Sequence, residues 1–271
     1  MKSFLNYIGS KHRFFKLIEK YLPKEICNYY EPFVGGGSVL FNINNKYKIK
    51  KNYINDIDPE LINIYKSIKK DVNKLLEYLE ILDKFKSKQK FLQTLTLYNN
   101  KNEINKNKIL KAAIYIYLNK KSFNGIFHYG KSGIAKPYFS EYKSKHIFSK
   151  ENILEISELL KNTNIQNTTY ELFIKKNKIK KGDFVYLDPP YLVKQVKQYY
   201  KKSFEKKNYE ELKTICDKLN KKNVNFMITL NGNVFLKKIF KEYNIHCYEK
   251  KSNISNSKYV KEYEMIITNY Q

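Results

Sequence analysis

The chain has 271 residues, enough to bury a sizeable core as one large α/β unit carrying a smaller insertion. Its formal charge of +26, with Arg13 the lone arginine among 52 basic residues, points to a polyanionic partner, though about half of that excess fits a genome that writes lysine freely. Three widely spaced cysteines (Cys27, Cys216, Cys247) and four scattered histidines offer neither a disulfide framework nor a metal motif, and the absence of a leader-like segment or an 18-residue apolar run leads us to expect a soluble, cytoplasmic protein with no metal and no membrane partner.

In chain order, the first legible unit is the apolar stretch Ile26–Tyr30, followed by Glu31-Pro32-Phe33-Val34-Gly35-Gly36-Gly37-Ser38 and a helical start at Val39-Leu40-Phe41-Asn42-Ile43. Strand, glycine turn, helix is the architecture of a nucleotide-type cofactor loop. Glycines let the backbone approach a ligand where a Cβ would clash. The pattern is neither Gly-x-Gly-x-x-Gly nor a loop closed by Gly-Lys-Ser/Thr, which argues against a dinucleotide or a P-loop triphosphate. A plain tight turn is the alternative reading. The run Asn52–Asp56 then ends in an acid about 20 residues past the glycines, where Rossmann-like sheets place the ribose acceptor. Asp56 fits that role, and Asp58 suits an N-cap for a helix beginning at Pro59.

Between Asp56 and about Ser144 the texture changes. Lysine-rich helical patterns at Leu61–Leu82 and Lys108–Leu118 give way to an irregular glycine, proline and aromatic stretch at Lys121–Tyr138. This block interrupts the sheet pattern and reads as an inserted recognition unit. The sheet pattern resumes at Phe184-Val185-Tyr186-Leu187, which reads as a buried parallel strand ending abruptly in Asp188-Pro189-Pro190-Tyr191.

That tail carries specific chemistry. The lone pair of an exocyclic base amine is delocalised into its ring, so the nitrogen is a poor nucleophile. One carboxylate (Asp188) and one carbonyl (Pro189) can take its two N–H bonds and favour the pyramidal form. Proline fixes φ and has no N–H of its own, which holds the carbonyl in place, and Tyr191 offers a face for a base outside the helix. A simple strand stop is the competing reading of Pro-Pro. Lys194–Lys207 follows, basic with interleaved rings (Lys197, Tyr199, Tyr200, Phe204), and suits either a loop closing over nucleic acid or a solvated lysine loop. A helix at Tyr209–Leu219, a strand at Val224–Leu230, a helix through Phe240 and a closing antiparallel pair at Ile245–Tyr248 and Tyr263–Thr268 complete the pattern.

Taken together, these motifs resemble the Dam-type (D12 class) DNA adenine-N6 methyltransferases of bacterial and phage origin. The likeness runs along almost the whole chain. Tyr7-Ile8-Gly9-Ser10-Lys11, followed by a helix ending at Leu22-Pro23, is similar to the family's first cofactor segment. Glu31–Ser38 resembles its glycine loop, Asn55-Asp56 its ribose-binding acid and Asp188–Tyr191 its catalytic tetrapeptide. Lys121–Gly125 through Gly133 and Pro137-Tyr138 resembles its DNA-reading hairpin, and Lys261–Tyr270 its closing strand.

The resemblance implies a Rossmann-like class I methyltransferase sheet with an inserted, mostly helical DNA-recognition domain: residues 1–56 and 145–271 catalytic, 57–144 target-reading. It implies S-adenosylmethionine as methyl donor and double-stranded DNA as partner, with a cognate restriction endonuclease as a further candidate. The implied site has Asp188, Pro189, Pro190 and Tyr191 in catalysis. Tyr7, Lys11, Glu31, Phe33, Gly35, Gly37, Ser38, Asp56 and Asp188 face the cofactor, and Lys121, Phe123, Asn124, Gly125, His128, Lys131, Pro137 and Lys197 face DNA. Relatives that methylate GATC place an arginine three residues after the hairpin Asn-Gly; here the same count reaches His128. A methyltransferase acting on an RNA base or a protein amide, and an inactive DNA-binding relative, are the alternatives. The amide enzymes begin the tetrapeptide with asparagine, and an inactive relative has no reason to keep Glu31, Asp56 and Asp188 together.

Overall fold

The structure, a computed structural model, describes residues 1–7, 9–127, 129–130, 133–140, 146–191, 204–250 and 262–271. The elements are α1 (Phe15–Glu19), β1 (Asn28–Glu31), α2 (Ser38–Lys46), β2 (Lys51–Asn55), α3 (Pro59–Lys70), α4 (Val72–Asp83), α5 (Lys88–Asn99), α6 (Lys101–Ile104), α7 (Lys108–Lys121), α8 (Lys150–Lys161), β3 (Thr163–Gln166), α9 (Tyr170–Lys176), β4 (Phe184–Leu187), α10 (Lys206–Lys221), β5 (Asn225–Asn231), α11 (Val234–Ile239), β6 (Asn244–Lys250) and β7 (Glu262–Thr268).

The strands form one sheet in the order β3-β2-β1-β4-β5-β7-β6. β1 to β5 run parallel. β7 is antiparallel to both β5 and β6 and lies between them, leaving β6 at the edge. The order reverses between β1 and β4, and such a switch point leaves a crevice at the carboxyl ends of the strands. Glu31 ends β1 and Asp188 follows β4, so both acids open onto that crevice.

Alternation along the strands explains the two cores. Phe184 and Tyr186 of β4 pack with Tyr29, Met227 and Ile266 on one face. Val185 and Leu187 pack with Tyr30, Phe226, Ile228 and Ile267 on the other, under Leu212 and Cys216 of α10. A strand buried on both faces reads as an unbroken apolar run, as this one does. The first face continues into the insertion: Leu75 of α4, Phe91 of α5 and Tyr117 of α7 belong to the same buried cluster as Tyr29 and Phe184. α3 is tied to the sheet edge and to α8 by Lys69 Nζ on the Thr163 carbonyl (2.6 Å) and Ser157 Oγ on the Ile68 carbonyl (3.2 Å).

Some boundaries differ from the sequence reading. The pattern over Leu61–Leu82 is two helices, because Asp71 leaves the helical region (φ −157°) and its carboxylate caps α4 by accepting from the Lys74 N–H. Asp58 caps α3 ahead of Pro59, as expected. The edge strand β3, Thr-Asn-Ile-Gln, has no apolar alternation and gave no signal in the sequence.

Candidate active site

Asp56 organises the cofactor-type loop. Its Oδ2 accepts from the Gly35 N–H (3.0 Å) and its Oδ1 from the Asp58 N–H (2.9 Å), while the Val34 N–H bonds the Asn55 carbonyl (2.9 Å). The glycine loop is thereby pinned to the end of β2. Burial pushes the Asp56 carboxyl up to about 6, against the opposing pull of those backbone N–H groups. Gly35 (φ +47°) and Gly37 (φ +72°) occupy the left-handed region. A Cβ at Gly35 would lie 2.6 Å from the Tyr7 ring, and one at Gly37 2.6 Å from the Tyr65 hydroxyl. The Tyr65 hydroxyl donates to the Gly35 carbonyl (2.9 Å), and Ser38, which opens α2, accepts from the Lys11 N–H through Oγ (3.1 Å). Tyr7, Lys11, Gly35, Gly37, Ser38 and Asp56 are therefore brought together.

Lys11 does more than flank the loop. Its buried ammonium donates to both oxygens of Asp188 (2.7 and 2.8 Å) and lies 4.9 Å from the centroid of the Tyr191 ring. Glu31 is buried beneath, accepting from the Tyr29 hydroxyl (2.9 Å). Burial holds its carboxyl well above the usual carboxylate range, and the charges of Asp188 and Asp56 raise it further. Phe33 packs against Tyr170 and Phe204 with centroids 5.2 and 6.1 Å away, so Phe204, at the end of the basic, ring-bearing stretch, belongs to an aromatic cluster beside the glycine loop.

The tetrapeptide is braced from neighbouring strands. Thr229 Oγ1 on β5 donates to Asp188 Oδ1 (2.9 Å) and contacts the Tyr186 hydroxyl (2.7 Å). The Tyr191 hydroxyl reaches both oxygens of Glu264 on β7 (2.6 Å each), and the Tyr209 hydroxyl donates to the Pro190 carbonyl. Thr229, Tyr186 and Glu264 escaped the sequence reading. Their signal was a polar residue inside an otherwise buried strand: Thr229 in Met-Ile-Thr-Leu and Glu264 in Glu-Met-Ile-Ile.

The hairpin is anchored beside this site. Asn119 accepts from the Asn6 N–H (2.8 Å) and donates to the Asn6 carbonyl (3.0 Å) and the Gly125 carbonyl (2.9 Å), tying the hairpin to the segment that carries Tyr7 and Lys11. Asn124 (φ +53°) and Gly125 (φ +68°) turn the chain, and the Phe123 N–H bonds the Tyr138 carbonyl (2.9 Å). Phe123 and Tyr138 are 60% and 71% exposed. Lys121 and Pro137, by contrast, are buried. Both are expected DNA contacts from the sequence; in the fold their side chains pack inward, while Phe123, Asn124 and Tyr138 are exposed. His128, Lys131 and Lys197 lie outside the described residues. Among the described residues no helix is long and apolar enough to cross a membrane, and no group of three or more His, Cys, Asp or Glu is placed to hold a metal.

The arrangement offers an acceptor carboxylate, an aromatic face and a glycine cradle ringed by acids. Comparison with known proteins agrees with that chemistry. The family model for D12 class N6 adenine-specific DNA methyltransferases matches residues 7–254. The chain is 35% identical to a type II methyltransferase, M.MjaIII, of Methanocaldococcus jannaschii, over 100% of this chain and 99% of the relative. It is 28% identical to a type II methyltransferase, M1.LlaDCHI, of Lactococcus lactis subsp. cremoris (100% and 96%), and 24% identical to the DNA adenine methylase of Escherichia coli K12 (94% and 90%).

Proposed function

The chain belongs to the D12 class N6 adenine-specific DNA methyltransferases, and from that membership we propose how its own residues carry out the transfer. The enzyme methylates adenine in DNA. The finer reading is that the target adenine, flipped out of a duplex, presents its amino group to Asp188 and the Pro189 carbonyl while its ring stacks on Tyr191. One observation carries this. The Lys11 ammonium, an N–H-bearing group, already lies between the Asp188 carboxylate (2.7 and 2.8 Å) and the Tyr191 ring (4.9 Å). A pocket that seats an ammonium there suits an amine. Lys11 has to release Asp188 before the amine can take its place.

The methyl donor is tested by the cradle. Buried Glu31 and Asp56 and partly buried Asp188 line the crevice with carboxyl groups, with Lys11 as the cation among them, and the glycines leave no room for a Cβ beside Tyr7 and Tyr65. These residues fit S-adenosylmethionine, which supplies a methyl group on a positively charged sulfur, already activated for transfer. Asp56 would hold the ribose hydroxyls, the backbone at Gly35 and Gly37 would border the methionine moiety with Tyr7 and Ser38, and Glu31 would meet its amino group. Phe33 would border the cofactor from the aromatic cluster. Lys11, once free of Asp188, would face the cofactor carboxylate. Transfer would break the sulfur–methyl bond, its electron pair going to sulfur to leave a neutral thioether, and the methylated nitrogen would have one N–H proton to lose, for which Asp188 would be the base within reach. Positioning the nitrogen in line with an activated methyl supplies much of the rate.

On the DNA side, Phe123 and Tyr138, exposed and paired near the base of the hairpin, would meet the duplex together with Asn124. Residues 57–144 would form the target-reading region, with 1–56 and 145–271 catalytic. Two relatives named as type II methyltransferases support a modification role beside a restriction endonuclease. The test is transfer of a labelled methyl group to duplex DNA, RNA and protein by wild type and Asp188→Ala. Label in duplex DNA alone, abolished in a folded Asp188→Ala, is expected; more than about a tenth of wild-type turnover in that variant would remove Asp188 from the chemistry.

A further inference from the structure

We infer that Thr229, backed by the Tyr186 hydroxyl, is a positioning residue that fixes which oxygen of Asp188 receives the target amine. The inference rests on Asp188 being the amine acceptor. Thr229 has a single hydroxyl proton, and it is committed to Asp188 Oδ1 at 2.9 Å. The 2.7 Å contact with Tyr186 must then use the tyrosine proton, so the chain runs in one direction, from Tyr186 to Thr229 to Asp188. Tyr186 stays protonated, because burial and the charge of Asp188 hold its hydroxyl well above the ordinary tyrosine range.

Sheet geometry makes this a fixed device. Tyr186 pairs with Met227 and Leu187 with Ile228, so Thr229 lies level with the position just past the end of β4, where Asp188 begins. Tyr186 and Thr229 are both fully buried, so no water competes for their bonds and each bond polarises the next. Lys11 contacts both oxygens of Asp188 through a long side chain that can swing away. Thr229 sits inside a central strand and cannot. After Lys11 leaves, Oδ1 keeps its donor, whereas among the described residues Oδ2 has had Lys11 alone. The carboxylate is thus held against rotation about Cβ–Cγ, with Oδ2 turned to the amine.

The test uses purified full-length enzyme, S-adenosylmethionine and unmethylated genomic DNA, with single-turnover methyl transfer, DNA and cofactor affinity, and thermal unfolding as readouts. Thr229→Val, of equal shape without the hydroxyl, should slow transfer by about 10- to 100-fold with both affinities unchanged and the unfolding temperature lowered by only a few degrees, since the buried Tyr186 hydroxyl loses its acceptor. Thr229→Ser should restore the rate, and Tyr186→Phe should fall between. An unchanged rate in Thr229→Val, an equal loss in Thr229→Ser, or a loss that tracks unfolding or affinity would overturn the inference. Were Thr229→Val to misfold, Tyr186→Phe, which leaves Thr229 in place, carries the same test. Asp188→Ala, which unlike asparagine leaves no acceptor at that position, separates the two levels. If it keeps wild-type transfer, the amine-acceptor reading fails; if it is inactive while Thr229→Val is not slowed, only the role of Thr229 fails.

Discussion

The Tyr191 hydroxyl lies 2.6 Å from both carboxylate oxygens of Glu264, so the ring that would face the target base is held at its outer edge by β7. Burial and the charges of Asp188 and Glu264 push the phenol well above its ordinary range, which keeps it a hydrogen-bond donor at any working pH. Tyr191→Phe preserves the stacking face but leaves a buried carboxylate short of a donor. The expected loss in methyl transfer is about tenfold, from a hydrogen bond to a charged group. Tyr191→Ala should lose more, because stacking adds about 1–3 kcal/mol. Steady-state rates on the three proteins decide it; equal losses in the two variants would place the whole effect in the hydroxyl and remove the stacking role.

Asp56 gives a pH dependence with a defined sign. Its folded-state carboxyl is raised to about 6 from an ordinary 3.8, so the folded enzyme holds a proton there that the unfolded chain releases sooner. This group's contribution to stability is full below about pH 4 and is lost as pH rises through 6. Cofactor binding should run the opposite way, since ribose hydroxyls donate to the ionised carboxylate. Affinity for S-adenosylmethionine should weaken as pH falls through about 6, and Asp56→Asn should weaken it at neutral pH and flatten that dependence. Calorimetry across pH 5 to 8 with a flat wild-type profile would move the ribose contact elsewhere.

Gly9 and Gly37 separate backbone strain from crowding. Both have positive φ (+80° and +72°), yet a Cβ at Gly9 would meet nothing within 4 Å, while one at Gly37 would lie 2.6 Å from the Tyr65 hydroxyl and 2.8 Å from the Phe41 ring. Gly9→Ala should cost about 1 kcal/mol of stability, from strain alone. Gly37→Ala should cost several-fold more and weaken cofactor binding, because Tyr65 also holds the Gly35 carbonyl. Thermal unfolding and cofactor titration of both variants check this, and equal destabilisation would show that the loop yields around Tyr65.

The parts legible in the sequence were those fixed by local rules. The strand before Asp188, the glycine loop, the acid at Asp56 and the cap at Asp58 each follow from residues adjacent in the chain. What escaped depends on sheet order. Nothing local says that β7 lies between β5 and β6, so nothing could bring Glu264 to Tyr191, and the β4–β5 register that sets Thr229 level with Asp188 is likewise not written in either strand alone. The same holds for Lys11: its position in the first cofactor segment suggests a cofactor carboxylate, and the fold pairs it with Asp188, 177 residues away in the chain. The inward packing of Lys121 and Pro137 was not legible for a related reason. A basic residue and a proline beside an Asn-Gly turn look exposed, yet the anchor formed by Asn119 draws their side of the hairpin inward and leaves Phe123 and Tyr138 outside.

Relatives that methylate GATC carry an arginine three residues after the hairpin Asn-Gly, where a planar guanidinium can read guanine through O6 and N7. In this chain that count from Asn124-Gly125 reaches His128, and the lone arginine, Arg13, sits in the cofactor segment. A histidine donates one hydrogen bond where arginine forks into two, so discrimination at that base pair should drop. Each good two-pronged contact is worth about 1–3 kcal/mol against the wrong base, which is roughly a 5- to 150-fold preference. The enzyme is therefore expected either to methylate a site other than GATC or to accept substitutions at the guanine–cytosine pair facing His128, with Lys131 supplying part of the missing contact. Mapping N6-methyladenine in DNA from cells expressing the protein decides between these, and His128→Arg should sharpen the preference for guanine. Strict, efficient methylation of GATC by the wild type would mean that this hairpin reads guanine without an arginine.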